Sequence, residues 1–219
     1  MTAAHSNQTF KIVVLGAPGV GKSTIISQFL HRKFLELHWF TIELEQQTTL
    51  IGKEGRQVSL EIVDTPGGYC FGARRRFAIE SGDAFILVFS LEDECSFETV
   101  AMIREDILRI KRKNKVPILL TVAMIREDIL RIKRKNKVPI LLVGNKTDIE
   151  DDKRITGKTG AELFAKKEWK TKYVEACGKD HSSVTRVFQK LLKLAKIKVE
   201  LSSHEQGETR RFTFPGSVK

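Results

Sequence analysis

Gly16-Ala17-Pro18-Gly19-Val20-Gly21-Lys22-Ser23 decides how this chain folds, because of what flanks it. Residues 10–15 before it, FKIVVL, form a short apolar run, and after it Ile25, Ile26, Phe29 and Leu30 recur at helical spacing. The order is strand, glycine loop, helix. The spacing G-x-x-x-x-G-K-[ST] has a physical reading. Glycines let backbone N–H groups turn inward at the positive end of a helix, and Lys22 adds a point charge, so residues 16–23 and the adjoining Thr24 cradle phosphate groups. Ser23 adds a hydroxyl suited to Mg²⁺. A plain strand-to-helix turn would explain the glycines but not Gly-Lys-Ser on the first helical turn.

Further short apolar or alternating runs lie at residues 58–63, 84–90, 138–143 and 172–176, with helical patterns between the later ones. The order predicts an α/β fold with a mostly parallel sheet flanked by helices. The last helix carries Val184, Val187, Phe188, Leu191 and Ala195 on one stripe, with Ser182 or Ser183 available as its N-cap.

Two later motifs complete a nucleotide site. Asp64-Thr65-Pro66-Gly67 closes the run SLEIVD, where a carboxylate at a strand end can hold Mg²⁺ and Gly67 can bring its N–H close to a terminal phosphate. Asn145-Lys146-Thr147-Asp148 follows the run at 140–143, and a carboxylate there can accept two hydrogen bonds from guanine N1 and N2, a donor pair adenine lacks. As an isolated tetrapeptide it would be ordinary surface sequence. Late in a phosphate-loop domain, at a strand end, it reads as base recognition.

With these segments in order, the chain resembles the Ras superfamily of small GTPases over residues 9–198. The resemblance implies a six-stranded sheet with five helices, binding of GTP or GDP with Mg²⁺, and switching by two loops that order around the γ-phosphate. Glu175-Ala176-Cys177-Gly178-Lys179 looks like the family's E-T-S-A-K guanine loop. FLELHWFTIEL, residues 34–44, resembles switch I, with Phe34 against the base and Thr41 on Mg²⁺ beside Ser23 and Asp64. Lys22, Thr41 and Gly67 are then the groups that act on the γ-phosphate. The stretch ARRRFAIESGDAFILVFSLEDECSFE, residues 73–98, looks most like the Dexras and Rhes branch, with Di-Ras nearby. An exchange factor, a GTPase-activating protein and effectors are the implied partners, and a monomer is expected.

One departure bears on the chemistry. Where Ras-like proteins carry the water-orienting glutamine this chain has Gly68, which implies slow intrinsic hydrolysis. A GTP-loaded binding scaffold with negligible hydrolysis is the alternative. A phosphate-loop kinase using ATP is disfavoured by Asn145-Lys146-Thr147-Asp148.

Residues 99–120, TVAMIREDILRIKRKNKVPILL, recur letter for letter as residues 121–142. Repeat architectures need several units and their units drift apart, so two identical copies read as a recent duplication, an engineered insert or an assembly error rather than a solenoid. Each copy carries six basic and two acidic side chains and so accounts for four of the eleven net positive charges. Each also reads as helix, loop, strand. Only the second strand run leads into Gly144-Asn145, and the helix at Val100, Ile103, Ile107 and Ile110 is expected to pack, since it follows the 84–90 strand at normal spacing.

Basic clusters at 111–115 and 133–137 lack the interleaved aromatics of a nucleic-acid surface, so no nucleic acid is expected. They read as solvated helix ends, with weak contact to an anionic membrane as the other reading. Cys70, Cys95 and Cys177 form no ligand pattern and read as reduced thiols. Residues 1–8 and 199–219 read as flexible ends around the 9–198 domain. With no C-a-a-X box, no signal peptide and no long apolar run, a cytoplasmic protein is expected, its membrane contact confined to the inner face.

Overall fold

The computed structural model describes residues 9–34, 44–51, 57–68, 72–113, 138–154, 158–197, 199 and 210–212. In chain order the strands are β1 (Thr9–Leu15), β2 (Leu44–Ile51), β3 (Gln57–Asp64), β4 (Ala84–Ser90), β5 (Ile140–Asn145), β6 (Lys172–Glu175) and β7 (Arg210–Phe212). The helices are α1 (Lys22–His31), α2 (Gly72–Ser81), α3 (Glu94–Lys113), α4 (Lys158–Lys167) and α5 (His181–Leu194), with a short 3₁₀ turn at Asp151–Lys153.

The sheet runs β6-β5-β4-β1-β3-β2-β7. Strands β3, β1, β4, β5 and β6 are mutually parallel, and β2 lies antiparallel to β3. The order reverses direction at β1, whose neighbours are β3 on one side and β4 on the other. This is the switch point at which such sheets open a crevice beyond their carboxyl ends. The six strands implied by the family resemblance are one fewer than the seven of the described sheet. Residues 210–212, read as part of a loose tail, pair antiparallel with the edge of β2, Gln46 opposite Arg211. Three residues are too few for alternation to register, and the backbone groups of an edge strand accept any extended partner.

Both faces of the sheet are covered, which is why its central strands are continuously apolar. In β1, Ile12 and Val14 pack with Ile25, Ile26, Val187, Phe188 and Leu191 of α1 and α5. Val13 and Leu15 face the other way, among Ile79, Val100, Ile103 and Ile107 of α2 and α3. Phe29 and Phe188 stack with ring centroids 3.8 Å apart, joining α1 to α5. Asp180, rather than Ser182 or Ser183, caps α5. Its carboxylate accepts the N–H groups of Ser182 and Ser183, each at 3.0 Å. The Ser183 hydroxyl is turned away to the Cys177 loop, where it accepts from the Cys177 N–H at 3.1 Å.

The repeat is divided between two elements. The packed helix comes from the first copy, with Val100, Ile103, Ile107 and Ile110 all buried. The first half of β5, Ile140, Leu141 and Leu142, is the end of the second. The reason for each choice is local. α3 starts at Glu94, before the repeat, where Ser96 donates its N–H to Asp93 at 3.2 Å and its hydroxyl accepts the N–H of Ser90 at 3.0 Å. Phe97 meets Phe89, Phe164 and Trp169 in an aromatic cluster. The first copy therefore continues a helix already nucleated and docked, whereas the second follows the Pro117 run. The strand must end on Asn145, which only the second copy reaches.

Deleting residues 99–120 or residues 121–142 gives one and the same polypeptide, in which α3 joins β5 through a connection of ordinary length. The shorter chain has less loop entropy to lose, about 1–2 kcal/mol less. Its thermal unfolding temperature should equal or exceed that of the full chain. A lower one would mean that residues 114–137 contribute contacts to the fold.

Candidate functional site

The phosphate loop leaves the carboxyl end of β1 and enters α1 through Gly21, whose φ of 92° lies in the left-handed region. A β-carbon there would also stand 2.3 Å from the Asn145 amide nitrogen, so only glycine fits. Gly67 is constrained in another way, since a β-carbon on it would lie 2.4 Å from the nitrogen of Pro18. The loop after β3 is thereby pressed against the phosphate loop. Gly16, Ala17 and Val20 turn inward among the core, while Pro18 and Gly19 face outward.

Lys22 lies almost wholly buried and donates from Nζ to the carbonyls of Gly16 at 3.1 Å and Ala17 at 2.8 Å. Burial pushes its pKa down to about 8, against the pull of Asp64. Asp64, at the end of β3, is 1% exposed. Burial raises its carboxyl to about 6, opposed by a hydrogen bond from Ser23 and by the charge of Lys22. Its Oδ1 has no hydrogen-bond partner. An unpaired buried carboxylate oxygen beside a serine hydroxyl is a costly arrangement unless a cation takes it up, and two hard oxygen donors suit Mg²⁺. Thr41, the third metal residue expected from sequence, lies outside the described residues, as does Cys70.

The base end is built from the ends of β5 and β6. Asn145 is buried at 3% exposure. Its Nδ2 donates to the Val20 carbonyl at 2.8 Å and its Oδ1 accepts the Gly178 N–H at 3.2 Å, joining the phosphate loop to the loop after β6. Lys146 adopts a left-handed φ of 69° and forms an ion pair with Glu92. Asp148 meets Lys179 Nζ at 2.6 Å, and this bond holds its carboxyl below the usual range. Lys179 in turn sits 5.8 Å from the ring centre of Phe34, which is 42% exposed at the mouth of the site. Burial raises the Cys177 thiol pKa. Thr24 lies against Gly178, close enough that an added β-carbon would stand 3.0 Å from its methyl.

The sequence-derived residues that are described therefore gather beyond the carboxyl ends of the parallel strands, those expected at phosphate on one side and those expected at the base on the other. Sequence reasoning missed the supports. Gln28 of α1 donates to the Lys179 carbonyl at 3.1 Å, and Arg154 donates to the Thr147 carbonyl at 2.9 Å. Neither belongs to a motif, and only the fold brings them to the loops they hold.

A glycine loop after β1, a buried carboxylate at the end of β3 and a carboxylate after β5 stand in the arrangement expected of a phosphate-loop nucleotide-binding domain. The Ras family model matches residues 11–125 and 120–197, and the chain belongs to the Ras family. The two matched stretches meet at the repeat, the second beginning on the last residue of the first copy. The protein is thus a small GTPase, whose family binds guanine nucleotide with Mg²⁺ and works with regulators and effectors.

The two shifted groups set a pH dependence. Asp64 has a folded pKa raised from 3.8 to about 6, so its contribution to stability is greatest below the unfolded value and is lost as pH rises through 6. Lys22 has a folded pKa lowered from 10.5 to about 8, so it costs stability below 8 and the cost is relieved as pH rises through 10.5. Near neutrality both are charged and both oppose folding of the protein without ligand. Asp64→Asn should raise the unfolding temperature of nucleotide-free protein at neutral pH by about 2–6 °C. The gain should vanish at acid pH, where the wild-type carboxyl is already protonated, and the variant should lose the extra stabilisation that Mg²⁺ gives to the nucleotide complex.

Proposed function

We propose that the protein is a GTP-dependent signalling switch of the Dexras and Rhes type, with slow intrinsic hydrolysis and a long-lived GTP state. The observation that carries this reading is Gly68. It follows Gly67, which is packed against Pro18, at the position from which a longer side chain would reach an attacking water. Glycine offers no such group, so water is left to orient itself, and positioning is a large part of phosphoryl-transfer catalysis.

What remains acts on charge. The Lys22 ammonium is suited to the β- and γ-phosphate oxygens, and Gly67 offers its N–H to the γ-phosphate. Ser23 and Asp64 are the residues that would hold Mg²⁺, joined by Thr41 on the family resemblance. The ion bridges phosphate oxygens and neutralises charge that develops on them. Asp148 selects guanine, while Phe34 and Lys179 flank the base. Residues 35–43 and the loop around Gly68 are where effectors, an exchange factor and an activating protein would read the phosphate state. The setting this implies is the cytosol, with the basic clusters at 111–115 and 133–137 as the segments for weak contact with an anionic membrane face.

A GTP-loaded scaffold with negligible hydrolysis draws on the same glycine. Single-turnover hydrolysis of bound GTP at saturating Mg²⁺ separates the two readings. Wild type should be slow but measurable, and Gly68→Gln should be at least about tenfold faster. No measurable turnover in wild type favours the scaffold. Wild-type turnover as fast as in the glutamine variant would mean that another residue positions the water.

A further inference from the structure

We propose that Arg154 and Glu175 are positioning residues for guanine recognition, a brace between the two base-binding loops that governs how long the nucleotide is held. The proposal rests on the assignment of Asp148 to the guanine N1 and N2 groups.

Arg154 follows the 3₁₀ turn Asp151–Lys153 and turns back towards the Asn145-to-Asp148 loop. One guanidinium nitrogen donates to the Thr147 carbonyl at 2.9 Å. Another lies 3.6 Å from Glu175 Oε2, and the two side chains are only 17% and 12% exposed. Glu175 is the last residue of β6 and leads directly into the loop of Cys177, Gly178 and Lys179. Its other oxygen accepts the Tyr173 hydroxyl at 3.1 Å. Tyr173 is itself tied to α5, its carbonyl accepting from Lys190 at 3.2 Å. Glu175 is therefore held from below by the sheet and presents a fixed carboxylate to Arg154.

The Thr147 carbonyl belongs to the peptide that joins Thr147 to Asp148. Fixing that peptide limits where the Asp148 carboxylate can point. The opposite edge of the same residue is fixed too, since the Thr147 N–H donates to the Ala176 carbonyl at 3.3 Å. Bidentate recognition tolerates little displacement, and such precision comes from the residues behind the contact as well as from the contact itself. An arginine fork can serve a carbonyl and a carboxylate at once through separate N–H groups, while a lysine offers a single compact charge. Arg154 therefore acts on the base through Thr147 and Asp148.

The test uses the full chain loaded with fluorescent GDP or with the matching inosine diphosphate, which lacks the exocyclic amine. Release rates and thermal unfolding are measured for wild type, Arg154→Met, Arg154→Lys and Glu175→Gln. Arg154→Met should release GDP about ten to a hundred times faster, the range expected for loss of a charge-assisted hydrogen bond. The preference for GDP over the inosine nucleotide should shrink with it, and Arg154→Lys should recover only part of the loss. Unchanged release overturns the proposal. So does faster release of both nucleotides in equal proportion with a lowered unfolding temperature, which would mark a general structural role. If Arg154→Met does not fold, Glu175→Gln keeps the shape, removes the charge, and is read by the same ratio. Wild type that fails to prefer GDP would overturn the assignment of Asp148, and the GDP release rate of the variants would still decide whether the brace exists.

Discussion

The buried amide of Asn145 is the point on which the nucleotide end of the molecule depends. It stands at the end of β5 and reaches one loop in each direction, the phosphate loop through Val20 and the guanine loop through Gly178. A side-chain amide carries a donor and an acceptor on one rigid plane, so two loops from different strands are held at a fixed separation by a single group. Gly21 has no side chain because that amide passes where one would be. The separation of the phosphate loop and the loop after β6 is thus fixed by contacts within the protein.

Charge is placed with the same economy but at a cost. Lys22 and Asp64 are both buried, and each is pushed toward its neutral form. Neither is there for stability, since desolvation outweighs what the two gain from each other. In the proposed role a ligand of alternating charge would relieve both, phosphate oxygens for the lysine and a cation for the carboxylate.

How much of this was legible in the sequence follows from the range over which each feature is encoded. The strand, glycine loop and α1 were legible because apolar period and motif lie within one short segment. Asp64 and Asn145 were legible because each closes a recognisable strand, and Asp148 because it follows Asn145 at the motif's spacing. The helix from the first repeat copy was legible from spacing to β4. The N-cap of α5 was not, since Asp180, Ser182 and Ser183 all qualify locally and the choice is made by a contact with Cys177. β7 was not, because its only determinant is the free edge of β2. Arg154 and Gln28 were not, because their partners are backbone carbonyls on other loops, and a carbonyl has no letter in a sequence. Thr41 is outside the described residues, so that expectation stands where the family resemblance left it.

The division of the repeat between α3 and β5 has a consequence for how a chain of this kind can lengthen. In a parallel sheet every strand has a working end and a returning end. The nucleotide groups all sit at the working ends of β1, β3, β5 and β6, while α3 hands over to β5 at the returning end. Extra chain admitted there leaves the spacing of the catalytic loops untouched. The junction between the two identical 22-residue units therefore falls on the side of the sheet away from the motif residues.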